Sequence, residues 1–255
     1  MSKRDDVDLL YRKSKIIDGC CRIIFWVNCC LAVVSSISMG IINNISILLQ
    51  ILVSLLFIVM KNLDDGLFWY NAESSRRKDN LQVALGINLS TLETDGYYNN
   101  TLEPSIVKYA MNTFESNFFC KELSGKMLTG SFIKAIISTV LLITIGWMNP
   151  NKDVLLIVTQ AVFSAYIIEE TVLLAIYKMR MDRLYDIAYT EFVTIGISKH
   201  AQQNLLLSYV VEYEAIKAHY KVRIDSTLFA KYNLDLSKKW EDIKAKCVIK
   251  TRLSN

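Results

Sequence analysis

Histidine and proline are scarce in this sequence, with two of each in 255 residues. His200 and His219 both lie near the C-terminus and do not suggest a set of metal ligands or a catalytic base. No phosphate-binding glycine loop, GxSxG elbow or HExxH motif occurs. The six cysteines form two adjacent pairs and two singles, which is not a metal-ligand spacing. We therefore predict a chain with no catalytic site, no metal and no cofactor.

Charge is absent from residues 23–60, in a chain that is 52% hydrophobic. As one helix this run would be about 57 Å long, whereas about 20 residues cross a bilayer core. The run is therefore long enough for two spans, which we place near residues 23–41 and 45–60. The turn between them is predicted at GIINN, residues 40–44, because glycine and asparagine tolerate turn conformations.

A second pair of apolar runs occupies residues 128–148 and 154–177, separated by the turn sequence NPNKD. The predicted fold class is thus an all-α membrane protein with two transmembrane helical hairpins (four spans), a cytoplasmic helical insert and a helical C-terminal tail. The predicted domains are a cytoplasmic N-terminal segment (1–22), hairpin 1 (23–60), the insert (61–127), hairpin 2 (128–177) and the tail (178–255).

Basic residues are concentrated on one side of the spans, and the NPNKD turn on the other side carries a single lysine. They precede the first span and follow the fourth: Lys3, Arg4, Arg12, Lys13, Lys15, Arg22, Lys178, Arg180 and Arg183. The positive-inside rule then places both termini and the insert in the cytoplasm. The net charge of +4 is too small to indicate a nucleic-acid polymer as partner.

The insert and the tail both show helical periodicity. The second span is predicted to continue as a helix through residues 63–85, followed by a loop at 86–105 and a helix from 106 into the third span. In the tail, the fourth helix extends past residue 178, and a further helix covers 199–224. A last helix covers 236–247, with Ser237 as its predicted N-cap.

Polar residues inside the second hairpin form the first candidate site. They are Lys134, Ser138, Tyr166, Glu169 and Glu170. Charges inside a membrane are costly and usually face protein or water, so these residues indicate either a seam that carries water or ions, or a Lys–Glu pair that packs two helices. Charges that snorkel to the interface are the remaining alternative. In span one, the small residues Ala32, Ser36 and Gly40 favour close helix packing, within the hairpin or between copies.

The insert supplies a second candidate site. Arginine pairs with phosphate, tyrosine stacks on bases and asparagine bonds base edges. Residues of these types are Arg76, Arg77, Tyr97, Tyr98, Asn99 and Asn100. They are candidates for binding a small cytoplasmic nucleotide. The alternatives are a solvated or headgroup-contacting helix face for the arginines, and an ordinary structured loop for the YYNN sequence.

Three segments carry a resemblance to a known family. AESSRRKDNLQVALG follows the first hairpin, GYYNN lies in the loop, and NTFESNFFCKELSGKM leads into the second hairpin. With this layout the chain resembles a divergent member of the SMODS-associating four-transmembrane effectors of bacterial antiphage systems. The resemblance implies an effector that works beside a cyclic-nucleotide synthase. It would sense the nucleotide, or its loss, and permeabilise the bacterial inner membrane.

Four spans alone make a poor pore, so we expect a homo-oligomer embedded in the lipid bilayer. Two alternatives from other classes remain open. One is a non-conducting membrane scaffold with the tail as a docking module, and the other is a small constitutive ion channel or transporter.

Overall fold

Helices make up almost all of the computed structural model, which describes residues 5–92, 94, 97, 98, 100–148, 154–198, 203–247, 249 and 250. The helices are α1 (Asp8–Ile37), α2 (Ile41–Leu63), α3 (Trp69–Leu85), α4 (Ile106–Met148), α5 (Val154–Tyr189), α6 (Gln203–Tyr220) and α7 (Ser226–Lys246). A π-helical turn at Asp64–Phe68 joins α2 to α3, and another at Thr190–Ile195 extends α5. The short strands β1 (Ile197–Ser198) and β2 (Ile249–Lys250) pair in parallel. The predicted all-α class is confirmed.

Four of these helices are long and apolar enough to cross a membrane, by length and composition. They are α1, the α2–α3 helix, α4 and α5. A multi-pass membrane protein accounts for this set, because about 20 apolar residues per helix match the thickness of a bilayer core. The arrangement as two hairpins and the orientation of the termini stay predictions.

The turn between α1 and α2 is shorter than predicted. It comprises residues 38–40, and Gly40 has φ of +66°, a left-handed conformation that glycine adopts without strain. Asn43 and Asn44 lie in the first turn of α2, and the Asn44 amide donates to the Gly40 carbonyl at 3.2 Å. Gly40 is therefore the last residue of the turn, and the asparagines are not part of it. The charged residues from Asp8 onward are helical too, which hydropathy did not indicate.

The chain folds into two compact units. The first, which we call the insert–tail unit, contains residues 1–7, 73–128 and 173–255. The second, which we call the span unit, contains residues 8–72 and 129–172. The α2–α3 helix, α4 and α5 each contribute residues to both units.

The insert–tail unit has an aromatic core. Phe114 of α4 is fully buried, stacks on Phe192 with ring centroids 5.4 Å apart, and meets Trp240 of α7 edge-on at 5.2 Å. An apolar stripe of α6 packs into the same core through Leu206, Tyr209, Val210, Tyr213 and Ile216. Helices occupy Trp69–Leu85 and Ile106–Met148, and the described residues of 86–105 are not helical. α6 ends at Tyr220, four residues before the predicted end at 224. The assignment of 61–127 as a cytoplasmic insert stays a prediction.

The last helix begins earlier than predicted, so Ser237 is not its N-cap. α7 starts at Ser226, and the preceding Asp225 accepts hydrogen bonds from the Thr227 amide at 2.8 Å and the Leu228 amide at 3.0 Å. Two amides that have no carbonyl partner within the helix are satisfied in this way. Ser237 lies inside the helix, next to the buried Leu236.

We expect Asp225→Ala to lower the free energy of unfolding by about 1 kcal/mol, because the two amides lose their acceptor. The loss is measurable by chemical denaturation in detergent micelles, followed by circular dichroism. Asp235→Ala removes an exposed aspartate of the same helix and serves as the matched control. Equal stability of the two variants would contradict the cap.

Candidate functional site

The buried face of α2 is largely polar, although most of its exposed residues are apolar. Ser46, Gln50, Ser54 and Lys61 are at most 7% exposed and follow one another at steps that keep them on one side of the helix. Six apolar side chains on the other faces are 45–57% exposed: Leu48, Leu49, Leu52, Leu55, Leu56 and Val59. An apolar exterior suits lipid, and polar groups inside a membrane are expected to face protein or water.

Amide side chains join this stripe to two other helices. Gln50 Nε2 donates to Gln160 Oε1 of α5 at 2.9 Å, and both residues are fully buried. Asn28 Nδ2 of α1 donates to Ser54 Oγ at 2.6 Å, and Asn28 is also fully buried. The interior of the span unit therefore contains hydrogen-bonded amides where a soluble bundle would carry aliphatic side chains.

Hydroxyl groups extend the polar interior to α4. Ser164 Oγ of α5 donates to the Ser138 carbonyl oxygen at 3.1 Å and accepts from Gln160 Nε2 at 3.3 Å. The hydroxyls of Ser131 and Thr171 lie 2.9 Å apart. All four helices of the span unit thus contribute polar groups, including Ser138, which the sequence had indicated.

Three buried polar atoms of this interior lack a hydrogen-bond partner within the described part of the chain. They are Asn28 Oδ1, Gln50 Oε1 and Ser138 Oγ, each on a residue with no exposed surface. Two of the three are carbonyl oxygens, which can only accept. An unpaired acceptor in a low-dielectric interior is unfavourable, so these oxygens favour a donor or a small cation.

A charged cluster lies further along the same stripe. Lys61 Nζ contacts Glu170 Oε1 at 2.9 Å and Asp18 Oδ1 at 3.8 Å. Ser14 Oγ donates to Asp64 Oδ2 at 2.9 Å. Arg22 Nε lies 3.5 Å from Asp18 Oδ2. Three carboxylates, one ammonium and one guanidinium therefore share this end of the span unit.

The predicted pairing of Lys134 with a glutamate of α5 is wrong. Glu170 bonds Lys61 instead, because the buried α2 face brings that lysine directly beside α5. Lys134 Nζ lies 6.0 Å from the ring centroid of Phe25, and Glu169 is exposed. Tyr166 packs edge-on against Phe57 at 5.5 Å. The sequence candidates did not include Lys61, because this lysine lies just beyond the charge-free run.

Only one of the predicted packing residues is buried. Ala32 has no exposed surface and packs with Ile47 of α2. Ser36 is half-buried and bonds its own helix at the Val33 carbonyl oxygen, and Gly40 is exposed in the turn. Ser35 turns inward in place of Ser36.

The insert candidates are only partly brought together. The Arg76 guanidinium bonds both Asp5 oxygens at 2.8 and 3.0 Å and lies 3.9 Å from the Tyr97 ring centroid. Tyr98 meets Tyr97 edge-on at 4.8 Å. Arg76 and the two tyrosines therefore form one cluster, in which a carboxylate occupies the position where an anionic ligand would bind.

The other insert candidates point elsewhere. Arg77 Nε bonds Glu214 Oε2 of α6 at 2.7 Å, and Asn100 Nδ2 donates to Asn112 Oδ1 at 2.5 Å. Asn99 lies outside the described residues. Arg77 and Asn100 thus stabilise contacts within the insert–tail unit and do not join the Arg76 cluster.

Sequence reasoning missed a buried ion cluster in the insert–tail unit. Lys217 Nζ contacts Glu73 Oε2 at 2.6 Å, and Glu214 lies one helical turn from Lys217 on α6. Burial alone would lower the pKa of Lys217, but the carboxylates of Glu73 and Glu214 raise it above its ordinary value. Burial raises the pKa of Glu214, against the opposing effect of Lys217 and Arg77. The neighbouring carboxylates therefore favour the charged form of Lys217.

No group of three or more potential metal ligands occurs among the described residues. No protein-family model matches the chain, and no curated protein or solved structure matches it either. The molecular class rests on the four apolar helices, which indicate a multi-pass membrane protein.

Proposed function

We propose that this chain is a membrane effector of bacterial antiphage defence that permeabilises the inner membrane in response to a cyclic nucleotide or its loss. The observation that carries the membrane part is the buried Gln50–Gln160 pair within an apolar-surfaced bundle. Hydrogen-bonded amides also join helices in membrane proteins, but the unpaired oxygens of Asn28 and Gln50 add no such bond and favour a donor or a cation.

In this proposal the span unit forms two membrane hairpins, with both termini and the insert in the cytoplasm. Two α1–α2 contacts support the first hairpin, since Asn28 pairs with Ser54 and Ala32 with Ile47, as in antiparallel neighbours. The basic flanks of the spans support the orientation. Subunits of a homo-oligomer would assemble through the lipid-facing surfaces.

The Arg76 cluster is the proposed nucleotide sensor. Arginine and stacked tyrosines are suited to a phosphate and a base, and a phosphate would compete with Asp5 for the guanidinium. The α2–α3 helix carries Arg76 and also Gln50, so the sensor and the polar interior lie on one continuous helix. A ligand changes the membrane state only if it binds the two states with different affinity.

The test is to express the chain in bacteria with and without an active cyclic-oligonucleotide synthase, and to follow membrane potential with a fluorescent dye. We expect depolarisation in one condition and normal potential in the other. Unchanged potential in both conditions would favour the non-conducting scaffold and reject the proposal. Equal depolarisation in both would favour a constitutive channel.

We expect Arg76→Ala to weaken the response to the nucleotide about 10- to 100-fold, since a hydrogen bond to a charged group contributes about 1.5–3 kcal/mol. Titrating synthase expression against depolarisation measures the shift. Arg180→Ala, at an exposed arginine of α5, is the control and should respond as wild type. An unshifted response in Arg76→Ala would remove the sensor role while leaving permeabilisation standing.

A further inference from the structure

Three phenylalanines from three helices meet inside the span unit. The Phe163 ring centroid lies 5.8 Å from that of Phe25 and 5.5 Å from that of Phe57. All three side chains are at most 3% exposed. We call Phe25, Phe57 and Phe163 the phenylalanine layer.

The same order of residues recurs on each of these helices. A charged residue, a layer phenylalanine and a buried polar residue follow one another as Asp18, Phe25 and Asn28 on α1, Lys61, Phe57 and Ser54 on α2, and Glu170, Phe163 and Gln160 on α5. Each phenylalanine is three residues, about 4.5 Å along the axis, from its polar neighbour. The layer therefore separates the charged cluster from the polar side chains of Asn28, Ser54 and Gln160.

The groups on both sides of the layer favour positive ions. On one side the carboxylates of Asp18, Asp64 and Glu170 outnumber Lys61 and Arg22, whose Nε lies 3.5 Å from Asp18 Oδ2. On the other side the unpaired oxygens of Asn28 and Gln50 accept but do not donate. Rings of carboxylates and of carbonyl oxygens are the features by which pores select cations.

We propose that the span unit of a single chain contains a path for small monovalent cations, which the phenylalanine layer closes. An apolar constriction excludes water and so blocks the passage of ions. This proposal deepens the proposed function, on which it rests, by placing the path inside one chain. Separation of the rings would let water connect the charged cluster to the amides.

The test uses the purified full chain in vesicles of phosphatidylethanolamine and phosphatidylglycerol loaded with potassium chloride. Phe163→Ser makes the layer smaller and polar, so we expect it to raise potassium efflux about tenfold over wild type without any ligand, which corresponds to a barrier lower by about 1.4 kcal/mol. Phe132→Ser changes an exposed phenylalanine of α4, 49% accessible, and should leave efflux at the wild-type level.

Three further variants connect the potassium flux to this path. Phe163→Leu keeps the layer apolar and should stay closed. Adding Gln50→Leu to Phe163→Ser removes an amide of the path and should return efflux towards wild type. Phe57→Ser provides a second opening of the layer from a different helix.

The proposal is overturned if no folded layer variant conducts more than wild type, as judged by circular dichroism and size-exclusion chromatography. Release of an entrapped fluorescein dye at the same rate would also overturn it, because the bilayer itself would then be leaking. Chloride flux in place of potassium flux would overturn the cation path. The depolarisation experiment in cells is independent of these results. A pore formed between subunits would still depolarise the cells and so support the proposed function.

Discussion

Phe114→Ala is expected to destabilise the insert–tail unit by about 4 kcal/mol, within the range for deleting a buried phenylalanine. The ring has no exposed surface and contacts Phe192 and Trp240, which come from distant parts of the chain. Its removal takes away apolar burial and also leaves a cavity that neighbouring rings of fixed shape fill poorly. Chemical denaturation in detergent micelles, followed by circular dichroism, measures the loss.

Phe229→Ala is the matched control for this variant, because Phe229 is 42% exposed. It should cost about 1 kcal/mol or less, as surface substitutions commonly do. Phe114→Leu should recover part of the stability, because it restores apolar volume. A loss in Phe114→Ala no greater than in Phe229→Ala would mean that this aromatic cluster does not stabilise the unit.

Lys217→Met is expected to lower the free energy of unfolding by about 3 kcal/mol, near the lower end of the range for breaking a buried ion pair. The substitution leaves Glu73, whose side chain is 8% exposed, without its ammonium partner at 2.6 Å. Glu214 loses the same positive neighbour while its burial still opposes ionisation. The destabilisation therefore comes from the loss of this positive charge beside two carboxylates more than from lost packing, since methionine fills a similar volume.

A second substitution separates these two causes. Glu73→Leu in the Lys217→Met background removes one of the two carboxylates that lost Lys217 as a neighbour. It should restore much of the stability, because apolar replacement of both partners of a buried ion pair often leaves the free energy of unfolding unchanged. Lys239→Met, at an exposed lysine of α7, should unfold like wild type. If the double variant is no more stable than Lys217→Met, the cost lies in packing and not in charge.

Hydropathy was sufficient to find the four apolar helices, because the membrane imposes one strong requirement on composition. The core stripe of α6 was also readable, since Leu206, Tyr209 and Tyr213 recur at helical steps and pack as the period requires. The sequence predicted the turn after α1 less well. It indicated the five residues 40–44, whereas the turn ends at Gly40.

Side-chain partners were the part that sequence could not provide. The sequence offered a pair of Lys134 with a glutamate of the following span. Glu170 instead bonds Lys61, which lies more than a hundred residues away in the sequence. Depth along a helix says nothing about which face it presents to which neighbour. The same limit hid Asp5, whose carboxylate bonds Arg76 from 71 residues away in the sequence.

The polar amides were visible in the sequence but carried no signal there. Gln50 and Gln160 are isolated polar residues in long apolar runs, and only the structure shows that their side chains are in contact. A useful sign was present in the spacing of Ser46, Gln50 and Ser54, which places them on one face of α2. Polar residues at four-residue steps in an apolar helix are thus worth examining for an inward-facing stripe.

The contrast between the interior and the exterior of the span unit has an evolutionary consequence. The leucines and isoleucines on the exposed faces of α2 are about half accessible, so apolar residues of other shapes can replace them. Selection on the membrane part would then fall on a few polar letters and their spacing. Homologues that have lost overall identity should still keep a small residue, an amide, a small residue and a basic residue at the positions of Ser46, Gln50, Ser54 and Lys61.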